Sequence, residues 1–371
     1  MRTRLVALAA LVLVAGCFPV LLSVDKAGRV LIPRQEGVFS FDLKSGKTEL
    51  VAKAAKGEPA WARWSPDGTK VLVGEVSQDN SKTSLSIVDM KTRLAKPLAD
   101  LEATACALWS PDGKSVSAAE VGMGGAKLKV IAVESGQAKE VLSGALAMHT
   151  WLPDGTLLAV RTKEKKEEEN SSAKAGELVV VNPAGGVEAK VVAAVRCEQA
   201  ALMDVSPDGK WVLAVESEAK GESREETAKL VKISMVDGSK KAMAVAGAKA
   251  AFWSPDGKRI MILKGPSESG QANETSGKPG PEIVVTDAEG AAAVSVAKGG
   301  VLTQSEEMGG PAFFPTWADN ETILYFASAK TYGLGGKAVH LVSVKVDGRA
   351  RKDLQMAIDN GVAQGTAAKA P

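Results

Sequence analysis

Short apolar runs recur along the chain, and clusters of turn-forming residues separate them. Lys70-Val71-Leu72-Val73 and Arg259-Ile260-Met261-Ile262-Leu263 are apolar strands that each follow a turn. Ser84-Leu85-Ser86-Ile87-Val88-Asp89 alternates polar and apolar, the period of a strand. Ala95-Lys96-Pro97-Leu98 supplies a further short strand after the next break. The pattern predicts an all-β chain of units with four strands each.

The breaks repeat a motif. Trp64-Ser65-Pro66-Asp67-Gly68, Trp109-Ser110-Pro111-Asp112-Gly113 and Trp253-Ser254-Pro255-Asp256-Gly257 are full copies. Trp151-Leu152-Pro153-Asp154-Gly155 and Val205-Ser206-Pro207-Asp208-Gly209 are weaker ones. Weaker still are Ser23–Gly28 and Trp317–Asn320. Pro fixes φ, Asp bonds a nearby backbone N–H, and Gly takes the positive φ that closes the hairpin. Asp67, Asp112, Asp154, Asp208 and Asp256 therefore read as structural turn residues, not as a catalytic or metal array. The Trp is large enough to fill the space between neighbouring units. From Asp25 to Asp319 the motif aspartates recur at 42, 45, 42, 54, 48 and 63 residues, the period of propeller blades.

These motifs resemble the TolB-like propeller repeat, a relative of the WD-repeat propellers, from about Leu21 to Leu354. The resemblance implies one all-β domain of four-stranded blades, and says little about the task. Seven units can be counted, giving a seven-bladed ring. The first is the weakest, because its inner strand has to be Phe18–Ser23. Six blades with an N-terminal extension is the alternative. The propeller is expected over 17–355, with a disordered Ala/Gly-rich tail at 356–371. The last unit has its later strands intact, so no strand exchange between the termini is evident. Closure by side-chain packing alone is the expectation.

The N-terminus carries an address. Arg2 and Arg4 precede an uncharged apolar run ending in Leu13-Val14-Ala15-Gly16-Cys17. That is the pattern of a signal peptide over 1–16. Its end resembles a bacterial lipobox, which implies a diacylglycerol on the Cys17 thiol. An uncleaved membrane anchor and ordinary secretion are the other readings, and all three place the folded part outside the cytoplasm. By resemblance to lipoprotein sorting, Phe18 after the Cys points to the outer membrane, facing the periplasm or the cell surface.

Composition narrows the partners. Without Arg2 and Arg4 the chain has 44 basic residues against 44 acidic, so no charge excess argues for nucleic acid. Cys106 and Cys197 read as buried free thiols, with a disulfide between them the alternative if the fold brings them within about 7 Å, and no CxxC pair is present for zinc. No HExxH, GxSxG or P-loop occurs, and no cofactor is expected. His149, just ahead of Trp151, and His340 are the only histidines. Packing is the expected role for His149.

Propeller strands alternate in direction, so the tight turns gather on one face and the long loops on the other. The longest of these loops are Lys163–Ala175, Ser217–Thr227 and Pro266–Pro281. Gly299–Pro315, with Met308, Phe313 and Phe314, joins the last two units on that side. Where second strands meet these loops stand Arg34, Glu75, Glu120, Arg161, Glu216 and Lys264, a mixed-charge rim that offers a binding surface. The expected task is non-enzymatic. It is a rigid platform for another envelope protein or a polymer, held on the membrane through Cys17. A small ligand or glycan in the central funnel is the alternative, and an envelope lyase or hydrolase stands third.

Overall fold

A computed structural model gives the architecture. It describes residues 20–359 except 80, 123–124, 163–173, 187–188, 198–202, 219–226, 266–279, 299–300, 302–312, 329–338 and 356–357. Cys17, the leader, the tail from 360 and most of each long loop lie outside the described residues, as do the side chains of Cys106 and Cys197.

The chain forms a seven-bladed β-propeller, each blade an antiparallel meander whose strands are lettered a to d from the inside out. Blade 1 has Arg29–Arg34, Gly37–Asp42 and Thr48–Lys53 as strands b to d, and its inner place is held by a bridge from Val24 to Val30. Blade 2 runs Glu58–Trp64, Lys70–Val76, Lys82–Asp89 and Ala95–Glu102. Blade 3 begins Thr104–Trp109, Ser115–Gly122 and Gly125–Ala132. The strand Ala138–Trp151 then serves two blades: Ala138–Gly144 is d of blade 3, and Ala145–Trp151 is a of blade 4. Blade 4 continues with Leu157–Thr162, Lys174–Val181 and Lys190–Cys197. Blade 5 is Met203–Val205, Trp211–Glu218, Thr227–Ser234 and Lys240–Ala246. Blade 6 is Ala248–Trp253, Arg259–Lys264, Glu282–Asp287 and Val294–Lys298. Blade 7 is Thr316–Trp317, Thr322–Ser328, Val339–Lys345 and Lys352–Asp353.

Each inner strand is covered on both faces by its neighbours, which is why the b strands are apolar without alternation. Lys70–Val76 is buried at every position between its two ends. The buried apolar side chains fall into seven clusters, one at each joint between blades. Close packing at a joint allows little: a Cβ on Gly74 would run into the ring of Trp61.

The joint between blades 1 and 7 closes the ring. Val30, Phe39 and Phe41 of blade 1 pack there with Leu324, Leu341 and Leu354 of blade 7. Closure is not by side chains alone. Val20–Leu21 forms a parallel ladder with Phe313–Phe314, just ahead of the inner strand of blade 7. The ordered chain also passes the boundary expected at 355. Ile358 is buried in the same cluster, and Asp359 accepts a bond from Arg34 at 2.7 Å.

Candidate functional site

Each full turn is closed by the same groups. Ser65 Oγ donates to Asp67 at 2.6 Å and accepts from the Lys70 N–H at 2.9 Å, while Asp67 also accepts from the Thr69 N–H at 3.1 Å. Ser110 with Asp112, Ser206 with Asp208 and Ser254 with Asp256 repeat the hydroxyl–carboxylate bond at 2.6–2.7 Å. At Asp154 the serine is Leu152, and the carboxylate takes the Thr156 N–H and hydroxyl instead. Gly68 has φ +69°, a conformation that L side chains rarely adopt. The Ser65 hydroxyl, then the Thr69 N–H and hydroxyl, hold the Asp67 carboxyl down at about 2.

The tryptophans link blade to blade. Indole N–H groups of Trp64, Trp109, Trp151 and Trp317 donate to the carbonyls of Arg29, Arg63, Leu108 and Phe252 in the preceding blade, at 2.9–3.2 Å. Trp253 differs. Its indole N–H has no partner, and its backbone N–H donates to Asp204 Oδ2 at 2.6 Å. The joint between blades 5 and 6 carries a further staple. The buried Lys232 ammonium lies 4.5 Å from the Trp211 ring centre and 5.4 Å from that of Trp253. It donates to Ala288 O at 3.1 Å and to Glu289 at 2.8 Å.

The six rim residues do lie at the loop ends of their b strands, and each has a partner within the chain. Glu75 is 5% exposed and accepts the N–H groups of Ala55 and Lys56 at 2.7 and 2.9 Å. Glu120 accepts the Glu102 N–H at 2.8 Å and pairs with Lys129. Burial pushes the Glu120 carboxyl up, but Lys129 and the Glu102 N–H outweigh it and the net shift is downward. Glu216 takes the Arg196 N–H at 3.3 Å and Lys240 at 2.5 Å. The three glutamates thus clamp the segments that join one blade to the next. Arg161 donates to Glu177 at 2.7 Å across the sheet, Lys264 stands 3.9 Å from Glu282, and Arg34 holds Asp359. The structure sets these residues around one face without joining their charges into one cluster.

The inner strands of blades 2, 4 and 5 carry Arg63, His149 and Asp204. His149 packs between blades, its Nε2 3.1 Å from Ser117 Oγ, and burial with the nearby Arg63 guanidinium lowers it to about 4. Asp204 is enclosed by protein with a partial opening, and burial raises its carboxyl to about 7 against the pull of the Trp253 and Val205 N–H groups. The sequence reading did not single out Asp204. Its signal was available: Asp204-Val205 stands where four other blades carry an uncharged residue and Trp. His340 is paired with Asp353 at 2.5 Å. Phe314 meets Phe252 edge-on at 6.3 Å, whereas Met308 and the Phe313 side chain lie outside the described residues.

On the turn face a groove of about 800 Å³ lies between blades 2 and 3. Ile87, Leu98 and Val133 line its floor, with Leu94, Lys70 and Lys114 among its walls. Leu94 is 71% exposed beside the groove. Among the described residues no group of three or more His, Cys, Asp or Glu is placed to hold a metal. No helix among them is long and apolar enough to cross a membrane.

Solved propellers superpose on this ring. An oligogalacturonate lyase in complex with manganese aligns with a TM-score of 0.64 at 13% identity, covering 87% of this chain and 88% of the lyase. The tricorn protease gives 0.64 at 11% identity over 91% of this chain, which spans 34% of the protease. The β-propeller domain of the trilobed protease from Pyrococcus furiosus gives 0.56 at 12% identity, covering 88% and 90%. At such identities the likeness is one of fold. No protein-family model and no curated protein matches the chain.

Proposed function

We propose that this chain is an exported propeller, held at a membrane by lipid on Cys17, that serves as a non-enzymatic platform for another envelope protein or a polymer. The observation that carries this reading is the locking of the joints. Trp–carbonyl bonds, glutamate clamps and an apolar cluster at every joint give a surface that needs little ordering when a partner binds. The TolB-like repeat suggests partners among envelope-maintenance proteins. The six rim charges are already paired within the chain, so the groove beside Leu94 is the better contact. Leu94→Asp with Lys114→Glu is expected to weaken capture of the partner from native membranes by about tenfold, with the melting temperature unchanged. Full capture by this double variant, and its loss on charge reversal at Glu75 and Glu120, would return the contact to the rim.

A polar small ligand in the channel is the second reading, favoured by the enclosed Asp204. A ligand that raises the melting temperature of wild type but not of Asp204→Asn would support it.

A further inference from the structure

Strand direction gives the ring two unlike faces. Every a strand runs toward its Ser-Pro-Asp-Gly turn or the equivalent, and every b strand runs away from it. The starts of a, the ends of b and d, and the segments joining blades therefore share the opposite face, here the connector face. Blade 1 shows where the chain comes in. Val24 bridges Val30, and from there strand b runs on to Arg34. Val20, four residues before Val24, is thereby level with Arg34, and it pairs with Phe313 ahead of the inner strand of blade 7. The described chain also ends on this face, where Asp359 binds Arg34.

Cys17 lies three residues before Val20. Three residues span at most about 11 Å even when fully extended. Val20 belongs to the innermost layer, and successive strands are about 4.8 Å apart, so the outer edge of a blade lies roughly 14 Å further from the axis. A ring standing on its edge would lift Val20 beyond the reach of that tether. A ring resting on its turn face would lift it by about 20 Å, the length of a six-residue strand. Only the connector face can lie flat with Cys17 in the lipid.

We propose that the connector face rests on the phospholipid headgroups, which leaves the turn face, with its groove between blades 2 and 3, open to the aqueous space. The proposal rests on acylation of Cys17. Among the described residues Lys53, Lys82, Lys249 and Lys298 are exposed there beside Glu36, Glu58, Asp79 and Glu102, so the face carries mixed charge and the tether length, not net charge, sets the orientation. The orientation also explains why a partner would use Leu94 and Lys114 instead of the rim.

The test uses the full chain, expressed with its own N-terminus and reconstituted into phosphatidylethanolamine–phosphatidylglycerol vesicles that contain a spin-labelled headgroup lipid. A fluorescent amino acid replaces exposed Lys53 or Gln78 on the connector face, or exposed Thr69 or Lys114 on the turn face. Quenching several-fold stronger at Lys53 and Gln78 is expected. Equal quenching at all four sites, or stronger quenching at Thr69 and Lys114, overturns the orientation. Mass spectrometry of the N-terminal peptide reads the anchor separately. If Cys17 carries no diacylglycerol, the anchoring reading fails on its own. The orientation is then read with a maleimide lipid coupled to Cys17 in a Cys106→Ala, Cys197→Ala background.

Discussion

The Ser65 hydroxyl closes its turn twice, as donor to Asp67 and as acceptor for the Lys70 N–H. Ser65→Ala leaves that N–H without its acceptor, and a loss of about 1–2 kcal/mol in chemical denaturation is expected. The pH dependence of such turns has a definite sign. The Asp67 carboxyl is held near 2, below its unfolded value of 3.8, so its contribution is present above about pH 4 and is lost as pH falls through 2. Asp204 works the other way. Its folded value near 7 lies above the unfolded one, so the native state holds the proton more tightly and stability falls as pH rises from about 4 to 7. Asp204→Asn keeps an acceptor for the Trp253 N–H and removes the ionisation. It is expected to raise stability at pH 8 by up to about 3 kcal/mol and to leave it nearly unchanged at pH 4. An equal effect at both pH values would show that the carboxyl titrates normally. The turn aspartates were legible in the sequence because their partners lie within a few residues. Asp204 showed in the sequence only as a departure from the repeat, and its role was not legible because its partner, the Trp253 N–H, belongs to another blade.

At the scale of elements, the rim glutamates show how one pattern can support two readings. Their spacing from the turns was visible in the sequence, and it suggested an outward-facing ring of charge. The structure gives Glu75 the N–H groups of Ala55 and Lys56, which belong to the connector from blade 1. Glu75→Ala leaves two donors without an acceptor and is expected to cost about 1–3 kcal/mol, with Glu75→Gln milder because one carbonyl oxygen remains. The Lys232 staple makes a second case. Lys232→Ala removes a cation buried against two indoles and leaves Glu289, now held near 2 by Lys232 and Lys241, with one ammonium fewer. A fall in melting temperature is expected, with the Glu289 carboxyl moving up in a titration followed by NMR. The continuous strand Ala138–Trp151 could not be read from the sequence. Ser143-Gly144 is the single turn signal in that stretch, and Gly144, with φ +114°, lies where the strand passes from one blade to the next.

For the whole molecule, the motif period was enough to read the architecture, because each blade repeats the same strand and turn solution. Closure was harder to read, because it depends on the two ends of the chain and neither follows the repeat. Ile358 is the clearest example. It lies in an Ala/Gly-rich stretch expected to be disordered, yet it is buried among Val30, Phe39 and Leu324. Ile358→Ala is expected to destabilise the protein by about 2–4 kcal/mol, and truncation before residue 356 at least as much. No loss on truncation would mean that the ring closes without its C-terminal turn. The functional surface was the least legible feature, because the residues that share one face of the ring come from blades far apart in the sequence. The measurement that tests the platform reading most directly is photo-crosslinking in native membranes with the crosslinker at Leu94. One envelope protein should be captured from this position, not from Gln78, and should be lost with Lys114→Glu. Recovery of the same background from both positions, unchanged by Lys114→Glu, would contradict a platform that binds through its turn face.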